Sequence, residues 1–462
     1  MRASNALHTS CLLKRLGVPP VLLLALFIAG CFHPETELLS HSAAFELQSN
    51  SMAPRVWGPH VLSHCDRCAH KQLFTFESVR PDLPARCPKC GSKLATHPAM
   101  LSAQKGDLVA VEKLKKRPER LAVVQLKATD GTDYSTSSRM LLKRLWGFPG
   151  EQLEFVDGEL MVDGKLWQKS LAQMLDFCLI LDRFPQAAPT GWHWHSTPGQ
   201  AASEKQINGN SIRLEAGQQL RWEYRQPARV NPETTPENQW LTNSPVSDEW
   251  AGNHGSFMSP RTVNDLWLAI QFQLPIENSL NLRIENRLGV FGLTVFPQKP
   301  SHVQTPFFPD AEIPSSAELS CQLRVIVAFC DGRILTWSDC DGTKEFSLES
   351  CLHGAPSDES IHAFELVAAK QPTKNTQVSM EISQIVVGRD IYLRYSNRAD
   401  LVDHVFEPLK HDQFFVLGDN LIISEDSRNQ RAFANSKAIM GRLLGVSNAE
   451  IWSSVERAIR SN

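Results

Sequence analysis

Between residues 211 and 396 the chain keeps returning to a two-residue rhythm. It reads "SIRLEAGQQLRWEYR" from 211, "LWLAIQFQL" from 266, "LNLRIENRLGVFGLTVF" from 280, "LRVIVAFCDGRILTWSDCDG" from 323 and "VSMEISQIVVGRDIYLRYS" from 378. Successive side chains of a strand point to opposite faces, so alternation of this kind buries one face of a sheet and wets the other. Gly, Asn, Asp and Pro separate the runs, and Asp331-Gly332 is a hairpin signal between two of them. The pattern predicts an antiparallel β-sandwich.

That sandwich does not account for the whole chain. At 462 residues the sequence exceeds the roughly 150 to 200 of one domain, so at least two domains are expected. The net charge of -3, with 21% charged residues and no long basic block, lacks the electrostatic footprint of a nucleic-acid binder. The long apolar run is "LGVPPVLLLALFIAGCF", residues 16–32, with Arg2, Lys14 and Arg15 before it and Glu35 and Glu37 after it. Basic residues ahead of the run and none close behind place the rest of the chain outside the cytoplasm. Three readings share that outcome: a single membrane span, a lipoprotein signal ending at Cys31 in "IAGC", and a cleaved secretory signal. A single-pass cell-membrane protein with its bulk on the extracytoplasmic side is the leading expectation, and a lipid anchor at Cys31 is the alternative.

Shortly after the run comes "QSNSMAPRVWGPH", residues 48–60. Two serines one residue apart are by themselves a linker-like signal. A nucleophilic serine needs a base, and a lysine serves when burial holds it neutral. "MLLKRLWGFPG", residues 140–150, sets Lys143 among Met140, Leu141, Leu142 and Leu145 ahead of a Phe-Pro-Gly turn. Bringing a lysine from its ordinary value to near 7 costs about 4 to 5 kcal/mol, so an apolar wall must hold it.

Four islands in order resemble a bacterial type I signal peptidase, a membrane-bound Ser-Lys protease. They are "SNSMAP" at 49–54, "GDLVAVEK" at 106–113, "LLKRLWGFPGEQLEFVDGELMVDGK" at 141–165 and "FFVLGDNLIISEDSR" at 414–428. The resemblance implies Ser51 as nucleophile and Lys143 as general base, with no cofactor for catalysis. It implies Ser49 as a hydroxyl donor to the oxyanion beside the Ser51 N–H. Ser424 would orient the lysine, Asp426 and Arg428 would form a supporting ion pair, and Arg144 and Asp419 belong to the same support. Gly418, Asp419 and Asn420 would form the turn that carries it. The implied substrates are precursor proteins bearing signal peptides with a small-x-small end, bound as an added strand near Ser51 at the membrane face. The chain departs from the family's pattern at Arg55, where Thr is usual, at Leu421, Ile422 and Ile423, where Arg, Asp and Asn are common, and at Asn429 and Gln430, which replace an aromatic-Gly pair.

"CDRC" at 65–68 and "CPKC" at 87–90 interrupt this framework as two Cys-x-x-Cys knuckles. Cys65, Cys68, Cys87 and Cys90 have the spacing of a zinc ribbon, a closed structural site; disulfides are the competing reading in an exported chain. Cys178, Cys321, Cys330, Cys340 and Cys351 offer one or two further disulfides of unknown connectivity. "GWHWH" at 191–195 puts His193 and His195 on one strand face, with no third ligand in view.

The expected architecture is therefore mainly β, a signal-peptidase-type catalytic domain interrupted by a zinc ribbon and an antiparallel sandwich similar to laminin-G or lectin-like folds, with one N-terminal membrane helix. The expected boundaries are 1–35 for the anchor or signal segment, 44–62, 100–170 and 396–462 for the three catalytic parts, 63–95 for the ribbon and 190–395 for the sandwich. The sandwich is expected either to bind an envelope glycan or protein partner, with exposed tryptophans, or to act as a passive spacer. Fold-level similarity assigns it no function. The final stretch reads as an amphipathic helix. Two other classes compete: an anchored binding protein on a degenerate, inactive signal-peptidase scaffold, and another Ser-Lys peptidase such as a self-cleaving repressor.

Overall fold

The computed structural model describes residues 42–67, 71–75, 87, 92–94, 102–114, 116–127, 140–185, 192–196, 207–208, 210–215, 218–224, 226–227, 240–241, 262–275, 279–286, 289–295, 302–303, 320–339, 342–347, 363–369, 379–394, 403–429, 434–435, 437–443 and 451–461. The apolar run at 16–32 lies outside them. Among the described residues no helix is long and apolar enough to cross a membrane. The fold is mainly β, and every described strand pair is antiparallel.

Two sheets build the sandwich. One runs Ile207–Asn208, Ser211–Glu215, Ser379–Asp390, Leu266–Pro275, Ser320–Cys330, Arg333–Ser338 and Gly342–Ser347, with Cys178–Phe184 also paired to Ser379–Asp390. The other runs Trp192–Ser196, Gln219–Tyr224, Ala363–Ala369, Ser279–Asn286, Gly289–Val295 and His302–Val303. The alternation explains the packing residue by residue. Leu266, Leu268, Ile270, Phe272 and Leu274 point inward with Leu323, Val325, Val327 and Phe329 into the core between the sheets. The opposite face of the same strands, Trp267, Ala269, Ile326, Ala328 and Cys330, is also apolar. It needs its own cover.

Two helices supply that cover. Leu171–Asp176 buries Leu171, Met174 and Leu175, and Ile451–Ser461 buries Trp452 and Val455 against the same face. Ser170 starts the first helix with a capping box: its hydroxyl accepts from Gln173 N, and the Gln173 side chain accepts from Ser170 N at 2.8 Å. Such a cap contributes about 1 kcal/mol. The second helix is the one expected at the end of the chain. Trp267 and Trp337 are buried under these helices, so the described tryptophan side chains of the sandwich are core residues and not exposed ligand contacts.

The Asp331-Gly332 hairpin forms as expected. Both residues have positive φ, 49° and 72°, and Cys330 pairs with Arg333 across the turn. This is the geometry Asp-Gly tolerates at low cost.

A separate seven-stranded sheet carries the serine and lysine region. Its order is Ser42–Glu46, Leu108–Lys113, Ile439–Leu443, Val123–Lys127, Met140–Gly147, Gln413–Leu417 and Ala434–Asn435. The strand Ile439–Leu443 therefore sits between two strands that precede it by more than 300 residues. A four-stranded sheet, Lys165–Leu166, Glu159–Val162, Leu153–Val156 and His404–Val405, follows the lysine strand. A three-stranded sheet of Lys71–Thr75, His60–His64 and Ser102–Gln104 has strands before, between and after the two cysteine knuckles.

Candidate active site

Lys143 lies on Met140–Gly147, paired on one side with Val123–Lys127 and on the other with Gln413–Leu417. Leu142, Lys143, Arg144 and Leu145 are all buried, because both faces of this strand are covered. The Lys143 ammonium donates to Ser424 Oγ at 2.7 Å. Burial pulls the lysine down to about 8; Asp426 works against that and Arg428 reinforces it. Near pH 7 about a tenth of such a lysine is neutral, enough to act as a base and increasing with pH.

The Gly-Asp-Asn turn links the lysine to the serine. Ser424 Oγ accepts from Gly418 N at 3.1 Å as well as from Lys143. A Cβ at Gly418 would overlap both Ser424 Oγ and the Ser51 carbonyl oxygen, so only glycine fits there. Asn420 N donates to the Ser51 carbonyl at 3.0 Å. Asp426 accepts from Gly418 N and from Arg428 Nε at 2.8 Å, and Arg428 Nη2 also reaches the Leu421 carbonyl at 2.6 Å. The altered residues Leu421 to Ile423 thus leave this loop tied to its arginine. Arg144 forks onto Asp419, with Nε to Oδ1 at 2.7 Å and Nη2 to Oδ2 at 2.5 Å. Burial pulls the Arg144 guanidinium down, but Asp419 outweighs it and leaves the group above its ordinary value.

Ser51 is half-buried in a turn whose neighbours Met52 and Ala53 are fully buried. Ala53 N donates to the Asn50 carbonyl at 3.1 Å and Val56 N to the Met52 carbonyl at 3.2 Å. Ser49 is exposed, with its hydroxyl 3.4 Å from Ser51 Oγ. Asp107, which the sequence reading passed over, closes the base of this loop. Its amide donates to the Trp57 carbonyl, its carboxylate accepts from Trp57 N at 2.8 Å, and its carbonyl accepts from Leu47 N. The structure thus brings Ser49, Ser51, Lys143, Arg144, Asp419, Ser424, Asp426 and Arg428 into one neighbourhood. Arg55, Asp176 and Phe177 join it without having been singled out as site residues.

Of the four knuckle cysteines, Cys65 and Cys87 are described and Cys68 and Cys90 lie outside the described residues. Cys65 and Cys87 are both buried in one small cluster with Val61, Phe74 and Leu94, and neither is in a disulfide. The Cys87 amide donates to the Ser92 carbonyl at 2.7 Å. Cys178 and Cys330 are buried thiols, not a disulfide; burial pushes Cys178 up to about 12. Cys340 and Cys351 lie outside the described residues, as do the side chains of Cys321, His193 and His195.

A second buried ionic cluster went unforeseen. The Lys169 ammonium pairs with Asp331, with Asp390 at 3.0 Å and with Glu159 at 3.6 Å. Asp265 accepts from the Asp331 amide at 2.8 Å. Burial pushes Asp265 up to about 7 and Asp390 up to about 6; repulsion from Asp390 adds to the first and repulsion from Asp331 to the second. Glu159 is raised well above its ordinary value, first by burial and then by Asp265. The four carboxylates surround a position that Lys169 already fills, so this cluster has the character of a structural ion network.

Residues 91–176 match the family described as signal peptidase, peptidase S26. This stretch holds Lys143 and Arg144 and supports a signal-peptidase-type domain there; Ser51 and the Gly-Asp-Asn turn lie outside it. No curated protein matches the sequence. Among solved structures, an uncharacterized protein from Mycobacterium paratuberculosis is 12% identical, covering 43% of this chain and 93% of its own at a TM-score of 0.26. Lectin I-B4 from Griffonia simplicifolia is 9% identical, covering 46% and 98% at a TM-score of 0.24. A Trypanosoma rangeli sialidase mutant is 11% identical, covering 44% and 28% at a TM-score of 0.22.

Proposed function

We propose that the protein is a membrane-bound serine endopeptidase that removes N-terminal signal peptides after small-x-small motifs, with Ser51 as nucleophile and Lys143 as general base. The observation that carries this reading is a buried Lys143, lowered to about 8, whose ammonium meets Ser424 in the same loop whose Asn420 amide donates to the Ser51 carbonyl. Neutral Lys143 takes the Ser51 hydroxyl proton as Oγ attacks the scissile carbonyl. The oxyanion is met by the Ser51 N–H and the Ser49 hydroxyl, and loss of one such donor typically costs about 3 kcal/mol of transition-state stabilisation. The lysine ammonium returns the proton to the departing amine. Neutral Lys143 then takes a proton from a water that attacks the acyl-enzyme ester and gives it to Ser51 Oγ as the C–Oγ bond breaks and the peptide acid leaves.

The same proposal places the chain in the cell membrane with its bulk on the extracytoplasmic side. It also assigns a structural zinc to Cys65, Cys68, Cys87 and Cys90. The metal would hold the two knuckles together beside the nucleophile turn and takes no part in the proton transfers. Burial of Cys65 and Cys87 in one cluster supports that donor set.

The test is cleavage of a membrane-reconstituted Ala-x-Ala precursor by wild type, Ser51→Ala and Lys143→Met. Cleavage by wild type alone supports the Ser-Lys peptidase. An inert wild type across a panel of precursors, or cutting that survives loss of Ser51, would instead favour the binding protein on an inactive scaffold.

A further inference from the structure

The chain enters the sandwich through the short helix Leu171–Asp176, and the end of that helix touches the site twice. Arg55, four residues after Ser51 in the same turn, donates from Nη1 to the Asp176 carbonyl at 3.1 Å, and its Nη2 lies 3.5 Å from the Asp176 carboxylate. Both side chains are largely buried, at 11% and 17% exposed. The next residue, Phe177, is fully buried and lies under the Arg144 guanidinium, 5.0 Å from ring centre to Cζ. Arg144 follows Lys143 on the strand and holds Asp419, and Asn420 donates to the Ser51 carbonyl. The contacts close a ring: Ser51 turn, Arg55, Asp176, Phe177, Arg144, Asp419, Asn420 and back to Ser51.

The other side of the helix is fixed to the sandwich. Leu171, Met174 and Leu175 pack on Trp267, Ala328 and Trp337, and Cys178–Phe184 pairs with the sandwich strand Ser379–Asp390. Residues 176–177 therefore stand between a rigid sheet face and the turn bearing the nucleophile. An arginine suits this link, because its fork meets a carbonyl and a carboxylate of one residue together.

We infer that Arg55 and Asp176 are a positioning pair through which the inserted sandwich holds the Ser51 turn in its reactive geometry. The inference rests on the peptidase reading for its catalytic consequence. Neither residue touches substrate or moves a proton; they act through the placement of Ser51. In this arrangement the insert is part of the catalytic scaffold and not a passive spacer.

The experiment uses the full chain in membranes with Arg55→Gln, Arg55→Lys and Asp176→Asn, and reads two things. The first is kcat and KM with pH on an Ala-x-Ala precursor, with Ser51→Ala as control. The second is amide hydrogen exchange of the segments 49–57 and 140–147, which needs no substrate. Arg55→Gln is expected to lower kcat about tenfold, with KM and the pH midpoint held, and to speed exchange in 49–57 while 140–147 keeps its protection. Arg55→Lys, which keeps one bond to the Asp176 carbonyl, should retain most of the activity, and Asp176→Asn should fall between. Unchanged exchange in 49–57 overturns the inference whatever the activity, and so does faster exchange with unchanged kcat. A wild type that cleaves nothing defeats the peptidase reading alone, since the exchange result still decides whether the pair holds the turn.

Discussion

Two lysines in this protein are buried to the same extent, each 4% exposed, and they are driven in opposite directions. Lys143 meets a serine hydroxyl, and burial lowers it to about 8. Lys169 meets Asp331, Asp390 and Glu159; burial pulls it down as well, but the carboxylates outweigh that and leave it well above its ordinary value. Burial alone therefore does not make a base. What matters is whether an anion stands within contact, because a desolvated ammonium keeps its proton when a carboxylate compensates it and sheds it when only neutral dipoles do. At Lys143 the nearby carboxylates are turned to other partners, Asp419 onto Arg144 and Asp426 onto Arg428. The arginines thus do indirect work, keeping negative charge from the lysine.

The sharpest way to break this comparison is to remove each lysine. Lys143→Met should cut precursor cleavage by about a thousandfold or more while the protein stays folded, as loss of one member of a catalytic unit does. Lys169→Met should act on folding instead, costing about 3 to 5 kcal/mol in urea unfolding, because buried carboxylates lose their counter-ion. If Lys169→Met folds as well as wild type, the network carries no compensating charge and the contrast collapses.

A smaller effect is expected from Ser424→Ala. The Ser424 oxygen accepts from the ammonium, so its loss removes a partner of the charged form and should move the midpoint of kcat/KM against pH below about 8, with kcat about tenfold lower. A midpoint that moves upward would contradict the geometry. In wild type, kcat/KM should rise with pH through about 8 as Lys143 loses its proton.

The smallest effect lies in stability against pH. The folded Lys143 value of about 8 is below its ordinary 10.5, so between those values the unfolded chain binds more protons and this group adds stability as pH rises. Asp265 and Asp390 lie above their ordinary 3.8, at about 7 and about 6. Their contribution is fully present below about 3.8 and is lost as pH climbs through those folded values. Asp265→Asn keeps an oxygen for the Asp331 amide and should flatten the fall in stability between about pH 4 and 7. An unchanged slope would remove Asp265 from the network.

How far each lysine was legible follows from what surrounds it in sequence. Lys143 stands out because Met140, Leu141, Leu142 and Leu145 are adjacent, and a charged residue inside an apolar strand calls for explanation. Lys169 does not, since its partners sit at 159, 331 and 390 and only the folded sheets bring them together. The same holds for Arg55 and Asp176, 121 residues apart. The sandwich core was readable because alternation is local, whereas the second apolar face of Leu266–Pro275 was harder to read, since the helices that cover it come from elsewhere in the chain. Asp331 was recognised for its turn conformation, but its carboxylate's role depends on a lysine 162 residues away.

The placement of Ile439–Leu443 between Leu108–Lys113 and Val123–Lys127 also orders events in time. A ribosome delivers residues one after another, so the two flanking strands exist long before the strand that joins them. Until residues 439–443 arrive, the sheet bearing Lys143 has a gap in its middle. Gly418, Asp419 and Ser424 follow Lys143 by more than 270 residues, so the lysine's partners and the turn behind Ser51 come together only after that stretch has been made. Contacts of such long sequence separation form slowly, so assembly of the site is expected to lag behind that of the local hairpins.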